Sequence, residues 1–427
     1  FHASAAHILK HGHNFAFRCL ATTAWAFATS RQRNARLFRQ IATQMVPMVH
    51  AANCQEMANT AWAFGTADFH DDRLFNELAD KALLRLPEFK PQELSNILWG
   101  FATNGFFHEA FFTAAAQVAV HQLDLQAQHL ANILWSFARM RPRHHITQTT
   151  VLALLPACIA QLETFKPQEV SSTALAVAKA FGTSDVMDVD LISQEDVVPP
   201  PPPEVLEFFT SVMLWAVPRL HEFSAQSLAN TVNAYTMVNV PGVELLFTAL
   251  STEVYSRYET LEPSALLHLL KGFASVPSFR SVAQTLAAGI SPRIDELRPQ
   301  EAQALAKICA SMLGLRQELC VKDLNNCCAM LGDAAVGGIS DMNEAGAWSL
   351  QQVSDGFCMD NGNGECLDPV QALAAQVQLN SIEQGMGIEQ GSEQVATPTM
   401  NGATPKRLDS ITELHRVAPQ VAMLRDY

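Results

Sequence analysis

Nearly the same short motif is written along this chain again and again. "LSNILWGFATNGF" (Leu94 to Phe106) is followed by "LANILWSFARM" at Leu130 and preceded by "MANTAWAFGTA" at Met57. With Leu20 as the first anchor, the spacings are 37, 37 and 36 residues. Weaker copies start at Val170, Leu228, Leu266 and Ala302, with 38 and 36 residues in the last two intervals. Self-similarity at this period means a stack of equal small units. The interval from Val170 to Leu228 is 58 residues and contains "SDVMDVDLISQEDVVPPPPPE" (Ser184 to Glu204). A helix cannot run through that proline run, so the segment reads as an acidic loop inserted within one repeat.

Each unit reads as two helices. "FKPQEL" at Phe89, "FKPQEV" at Phe165 and "LRPQEA" at Leu297 place proline in the first turn and glutamate near the positive helix end. Asn53 and Ser224 serve as N-caps where the proline is missing. The second helices, such as "DDRLFNELADKALLRL" at Asp71 and "VELLFTALSTEVYSRY" at Val243, are rich in strong helix formers. A lone hairpin buries a handful of large side chains at roughly 1.5–3 kcal/mol each. Ordering its backbone costs about 1–2 kcal/mol per residue. Neighbours must therefore cover one another's apolar faces.

The expected fold is an all-α, right-handed α-solenoid of about eight hairpins over roughly residues 14–333. Four segments follow: N-terminal repeats (1–181), the insertion (182–203), C-terminal repeats (204–333) and a low-complexity tail (334–427). Gly, Gln, Ser and Thr dominate Leu379 to Arg407, which predicts disorder there. Short helices are expected at Asp368 to Leu379 and at Ser410 to Arg425. The chain opens at Phe1, already in repeat-like sequence, so it is expected to be a fragment with any targeting segment upstream.

Within the first helix, a step of about 100° per residue separates the roles of the motif positions. Leu94, Ile97, Leu98 and Phe101 form one apolar face. Asn96, Gln92 and Thr103 lie opposite, and Trp99 borders them. The place of Asn96 is taken by Asn59, Asn132 and Asn230, and by Thr22, Ser172 and His268 in looser copies. A side chain with donors and acceptors, offered once per repeat, can address one base per repeat. Equally, each asparagine could bond to the neighbouring first helix and set the stacking register. Trp25, Trp62, Trp99 and Trp135 are expected to fill gaps between repeats, stacking on bases being the other reading.

The net charge of −14 is unevenly spread. Residues 1–180 hold 15 Lys+Arg against 12 Asp+Glu, residues 181–333 hold 9 against 18, and the remainder 4 against 12. A polyanion is therefore expected on the N-terminal half, and tight non-specific nucleic-acid binding by the whole chain is disfavoured. Arg31, Arg33, Arg36 and Arg39 form the one basic cluster, either a phosphate contact or a solvated helix face.

Repeats of 36–38 residues carrying L-x-N-x-x-W-x-F-A, with P-Q-E-L before it, resemble the octotricopeptide and heptatricopeptide repeat families. Those are relatives of FAST-kinase and RAP-domain proteins and of helical-repeat subunits of mitochondrial RNA-editing complexes. The resemblance implies selective binding of single-stranded organellar RNA, in a mitochondrion or chloroplast, in transcript stability, processing or translation. It also implies other ribonucleoprotein subunits as partners. On it rest the candidate RNA-binding residues: Asn59, Asn96, Asn132, Asn230, Thr22, Ser172, His268 and Gln92, with Arg31 and Arg33. A scaffold that binds a protein partner on a concave surface is the alternative.

No enzyme, cofactor or metal is expected. The Walker loop, G-x-S-x-G and the kinase set are all missing. "CMDNGNGECLD" (Cys358 to Asp368) puts Gly362, Gly364 and Gln371 where a calcium loop needs oxygen ligands and a final carboxylate. The nine cysteines, Cys327–Cys328 among them, lack zinc spacing and read as buried thiols of a reducing compartment. The clusters His11–His13 and His144–His145 read as solvated or capping residues. No run reaches the ~18 apolar residues of a membrane span.

Overall fold

The seventh motif position explains why the units can stack. It holds Ala26, Ala63, Gly100, Ser136, Ala176, Ala234 and Gly272, small in seven of the eight copies, with Ile308 in the last. A computed structural model describes residues 1–11, 15–141, 144–182, 200–238 and 240–313. Among them are sixteen α-helices and no strand. The chain opens on α1 (His2–His11). Hairpins then follow in order: α2 (Phe17–Thr29) with α3 (Ala35–Met45), α4 (Cys54–Thr66) with α5 (Asp72–Leu83), and α6 (Pro91–Thr103) with α7 (Glu109–His121). Next come α8 (Ala127–Met140) with α9 (His145–Ala160), α10 (Pro167–Phe181) with α11 (Pro203–Ala216), and α12 (Ala225–Met237) with α13 (Val243–Arg257). Last are α14 (Pro263–Ala274) with α15 (Arg280–Ile290), and α16 (Pro299–Leu313).

Each first helix packs on the next first helix, from α2 through to α16. Second helices contact one another less closely in a row behind. The result is an α-solenoid. It begins earlier than the motif does, because α1 packs on α3 and occupies the second-helix row. The polyproline insertion from residue 183 to 199, the second helix of the last repeat, the tail, the cysteines from Cys320 onward and His13 lie outside the described residues.

The start signals work as local chemistry requires. Proline opens α6, α10 and α16, and the glutamate two residues on reaches back to the N-cap N–H. Glu93 accepts from Lys90 N at 3.0 Å, Glu169 from Lys166 N at 2.9 Å, and Glu301 from Arg298 N at 2.9 Å. Asn53 and Ser224 cap α4 and α12 as expected, accepting from Glu56 N and Ser227 N. In α8, His129 replaces the glutamate and accepts from Gln126 N through Nδ1 at 3.2 Å. Burial holds that imidazole below the usual histidine range, which keeps it a neutral acceptor.

The core follows the motif. Its first and eighth positions, Leu94 and Phe101 in α6, Met57 and Phe64 in α4, Leu130 and Phe137 in α8, are buried throughout. Two devices hold the units in register. One is the close approach of first-helix backbones: a Cβ built on Gly100 would lie 2.3 Å from the carbonyl carbon of Ala61. The other closes five of the hairpins. A long side chain at the end of a second helix donates to the backbone carbonyl just ahead of the N-cap of its own first helix, 32 to 36 residues back. Arg85 reaches Ala52, Gln122 reaches Phe89, Gln161 reaches Leu125, Arg257 reaches Phe223 and Arg293 reaches Leu261, at 2.6 to 2.9 Å. Those five carbonyl residues are all buried, so each bond satisfies an acceptor beside the core. In the hairpin of α10 and α11, Arg219 turns instead to Glu163, at 3.0 Å.

The cysteines partly fit the sequence reading. Cys54, Cys158 and Cys309 are buried, and burial pushes the Cys158 thiol up to about 12, whereas Cys19 is exposed on α2. No described helix is long and apolar enough to cross a membrane.

Two stability outcomes follow. Gly100→Ala forces the backbones of α4 and α6 apart, and overpacking of this kind costs about 1–3 kcal/mol. The better helix propensity of alanine returns only about 1 kcal/mol. The melting temperature should fall, and an unchanged one would mean that the backbones do not meet. Arg257→Met strands the carbonyls of Phe223 and of Leu220, which Arg257 also reaches at 2.8 Å. A loss of about 1–3 kcal/mol is expected by chemical denaturation, with no loss arguing against the hairpin lock.

Candidate nucleic-acid interface

The side of the first helices opposite the core carries four motif positions: two before the anchor, then two, five and nine after it. In α6 these are Gln92, Asn96, Trp99 and Thr103. Read along all eight first helices, none of these positions is buried. The stripe holds no carboxylate at any of them. It does hold Arg18, Arg139, Lys179, Lys271 and Lys307. The chain as a whole has 42 Asp+Glu against 28 Lys+Arg, so this is a local reversal of its charge. The nearest first-helix glutamates, Glu56, Glu93, Glu169 and Glu301, are turned back onto N-cap amides.

The carboxamides form two parallel series. Gln55, Gln92, Gln128, Gln168, Gln226 and Gln300 are exposed at the first stripe position. Only Gln92 stood out in the single motif; the series emerges when the helical projection is applied to every copy. Asn59, Asn96, Asn132 and Asn230, with Ser172 and His268, are half-buried one helical turn further on, and Thr22 is exposed. Gln226 Nε2 donates to Asn230 Oδ1 at 2.8 Å. Among the described residues, the side-chain amides of Asn59, Asn96 and Asn132 make no hydrogen bond. No bond from these three to the neighbouring first helix is present; that register is held by the small seventh position. His268 is held below the usual histidine range by burial, with Glu301 opposing, so near neutral pH its ring is an uncharged donor and acceptor.

The tryptophans differ in part from expectation. They do meet between repeats: Trp62 and Trp99 have ring centroids 6.2 Å apart, as do Trp99 and Trp135, with interplanar angles of 31° and 28°. They are not buried fillers, however. Trp62, Trp99 and Trp135 are half-buried, and Trp25 is 44% exposed. The indoles sit at the rim of the apolar face, so one edge touches the next repeat while the rest faces solvent. Arg139 places its guanidinium 5.3 Å from the Trp135 ring centroid and donates Nε to Ala102 O of the preceding first helix at 2.9 Å.

Arg31 and Arg33 do not lie on the stripe. They follow α2, exposed, and line a cleft of about 300 Å³ with Gln32, Phe27 and Thr66. Thr66 is the last stripe position of α4, so the cleft adjoins the stripe at its end. Arg36 and Arg39 are exposed on α3, in the second-helix row. Among the described residues, no group of three or more His, Cys, Asp or Glu side chains is placed to hold a metal ion.

The acidity of the later repeats also has a definite place. Glu204 and Glu207 lie on α11, Glu244 and Glu253 on α13, and Asp295 and Glu296 after α15. All belong to the second-helix row or its connections.

Residues 5–145 match the family model of the RNA-editing substrate-binding complex 6 protein. The matched stretch runs from α1 to the first residue of α9 and contains the four first helices with tryptophan at the sixth motif position. No curated protein matches the chain. The chain is thus a helical-repeat protein whose N-terminal third is similar to a component of an RNA-editing complex.

Proposed function

We propose that the chain is a non-enzymatic, single-stranded RNA-binding subunit of an RNA-editing substrate-binding assembly in a mitochondrion. The carboxylate-free stripe along eight first helices is the observation that carries this reading. A surface kept clear of negative charge, in a chain of net charge −14, suits a polyanion. Amide side chains whose hydrogen-bonding capacity is unmet can address base edges, and exposed indoles can take base faces. The similarity to the RNA-editing substrate-binding complex 6 protein points the same way and supports the mitochondrial over the chloroplast half of the sequence expectation. The octotricopeptide type rests on motif resemblance alone. Other subunits of such an assembly are proposed partners.

Asn59, Asn96 and Asn132 are assigned to base recognition, with Asn230, Ser172, Thr22 and His268 as weaker or altered readers. Gln92 and its counterparts lie beside them. Arg31 and Arg33 are assigned to phosphate at the edge of the stripe.

The test uses the whole chain and a randomised RNA pool. The double variant Asn96→Ala with Asn132→Ala removes no intramolecular hydrogen bond, and alanine is the better helix former by up to about 0.7 kcal/mol per site. Its melting temperature should therefore be equal or slightly higher, while the sequences enriched from the pool lose their bias. A lowered melting temperature with unchanged selectivity would make these asparagines structural. If the wild-type chain retains no RNA, the protein-binding scaffold becomes the better reading.

A further inference from the structure

We propose that the stripe holds one RNA strand in two chemically different stretches. Bases stack on the indoles of the first four repeats, and phosphates are neutralised by lysines of the last two. This division rests on the RNA reading above.

A single motif position carries the change. The sixth residue is Trp25, Trp62, Trp99 and Trp135 in α2 to α8, then Leu175 and Asn233, then Lys271 and Lys307 in α14 and α16. These side chains project from equivalent places on successive helices, so the same line along the surface passes from aromatic to cationic. At its aromatic end Trp62, Trp99 and Trp135 follow one another with ring centroids 6.2 Å apart, so three of the four indoles form a series rather than isolated rings. Base faces stack on such a platform with little regard to sequence. Arg139, lying against Trp135, ends the ladder. From there the stripe offers Lys179, Lys271 and Lys307, of which Lys179 and Lys307 are exposed. An ammonium is a compact point charge suited to phosphate and indifferent to the base.

The acidity of residues 181–333 does not oppose this. Among the described residues, the carboxylates of these later repeats lie on second helices and the connections after them, apart from Glu301, which caps its own helix, and Glu262, which pairs with Arg293 at the start of α14. The stripe thus carries cations into the later repeats, although segment charge makes the N-terminal half the likelier place for a polyanion.

The full chain is titrated with an oligouridylate long enough to follow all eight repeats. Anisotropy is read across a range of salt, and tryptophan quenching at saturation. Lys271→Gln with Lys307→Gln should weaken binding and reduce the salt slope by about 1.4, two phosphates at about 0.7 each for a single strand. Quenching at saturation should be unchanged. Lys307→Gln alone, at an exposed site, should give about half that change in slope, which separates charge loss from any fold defect at half-buried Lys271. Trp99→Leu with Trp135→Leu should lose quenching and affinity but keep the slope. Lysine variants with the wild-type slope overturn the division, as does wild-type binding without quenching. A wild-type chain that binds no RNA overturns the RNA reading itself, and the division with it.

Discussion

First helices pack closely through a small seventh motif residue, and between α4 and α6 their backbones meet; the rest of the arrangement depends on that approach. At Gly100 no side-chain atom separates α6 from Ala61 of α4. A larger residue at the seventh motif position would widen the spacing, and three consequences would go with it. The apolar first and eighth positions would lose their closure against the next repeat. The indoles one residue earlier would no longer touch at 6.2 Å. The stripe beyond them would break into separate helix faces. Close packing of small residues thus converts eight local polar patches into one line.

A second constraint holds the hairpins without help from the asparagines of the stripe. Arg85, Gln122, Gln161, Arg257 and Arg293 each tie the end of a second helix to the carbonyl ahead of its first, through bonds in which Asn96 and its counterparts take no part. Asparagine within a helix is less favourable than alanine by some tenths of a kcal/mol. At Asn59, Asn96 and Asn132 no internal bond offsets that cost. A structural role would need such a bond, so a role outside the hairpin is the economical account of why one residue type recurs there.

Much of this was legible in the sequence, for identifiable reasons. Hairpin period, proline starts and the Asn53 and Ser224 caps are local, set by a few neighbouring residues and by steric rules that do not depend on the rest of the fold. The Leu94–Ile97–Leu98–Phe101 face follows from helical periodicity in the same way. The hairpin locks were not legible. Arg85 and Gln122 look like ordinary surface residues until the chain returns to place a buried carbonyl 33 residues back within reach. The tryptophans were misjudged because aromatic size was weighed without position: the rim of an apolar face leaves a large ring half-exposed. α1 was missed because second helices share a pattern and not a motif.

Net charge is a coarse guide for a related reason, since it averages over surfaces that a ligand never meets together. Two rows of helices are separated by about one helix diameter, roughly 10–12 Å with side chains. Exposed charges are largely screened beyond about 8 Å at physiological ionic strength. A strand lying on the first-helix row therefore responds to Lys271, Lys307 and Arg139 at contact distance. It meets the carboxylates of α11 and α13 only as a weak background. That background still has a use. On the proposed reading, the carboxylates of α11 and α13 would discourage a polyanion from the second-helix row.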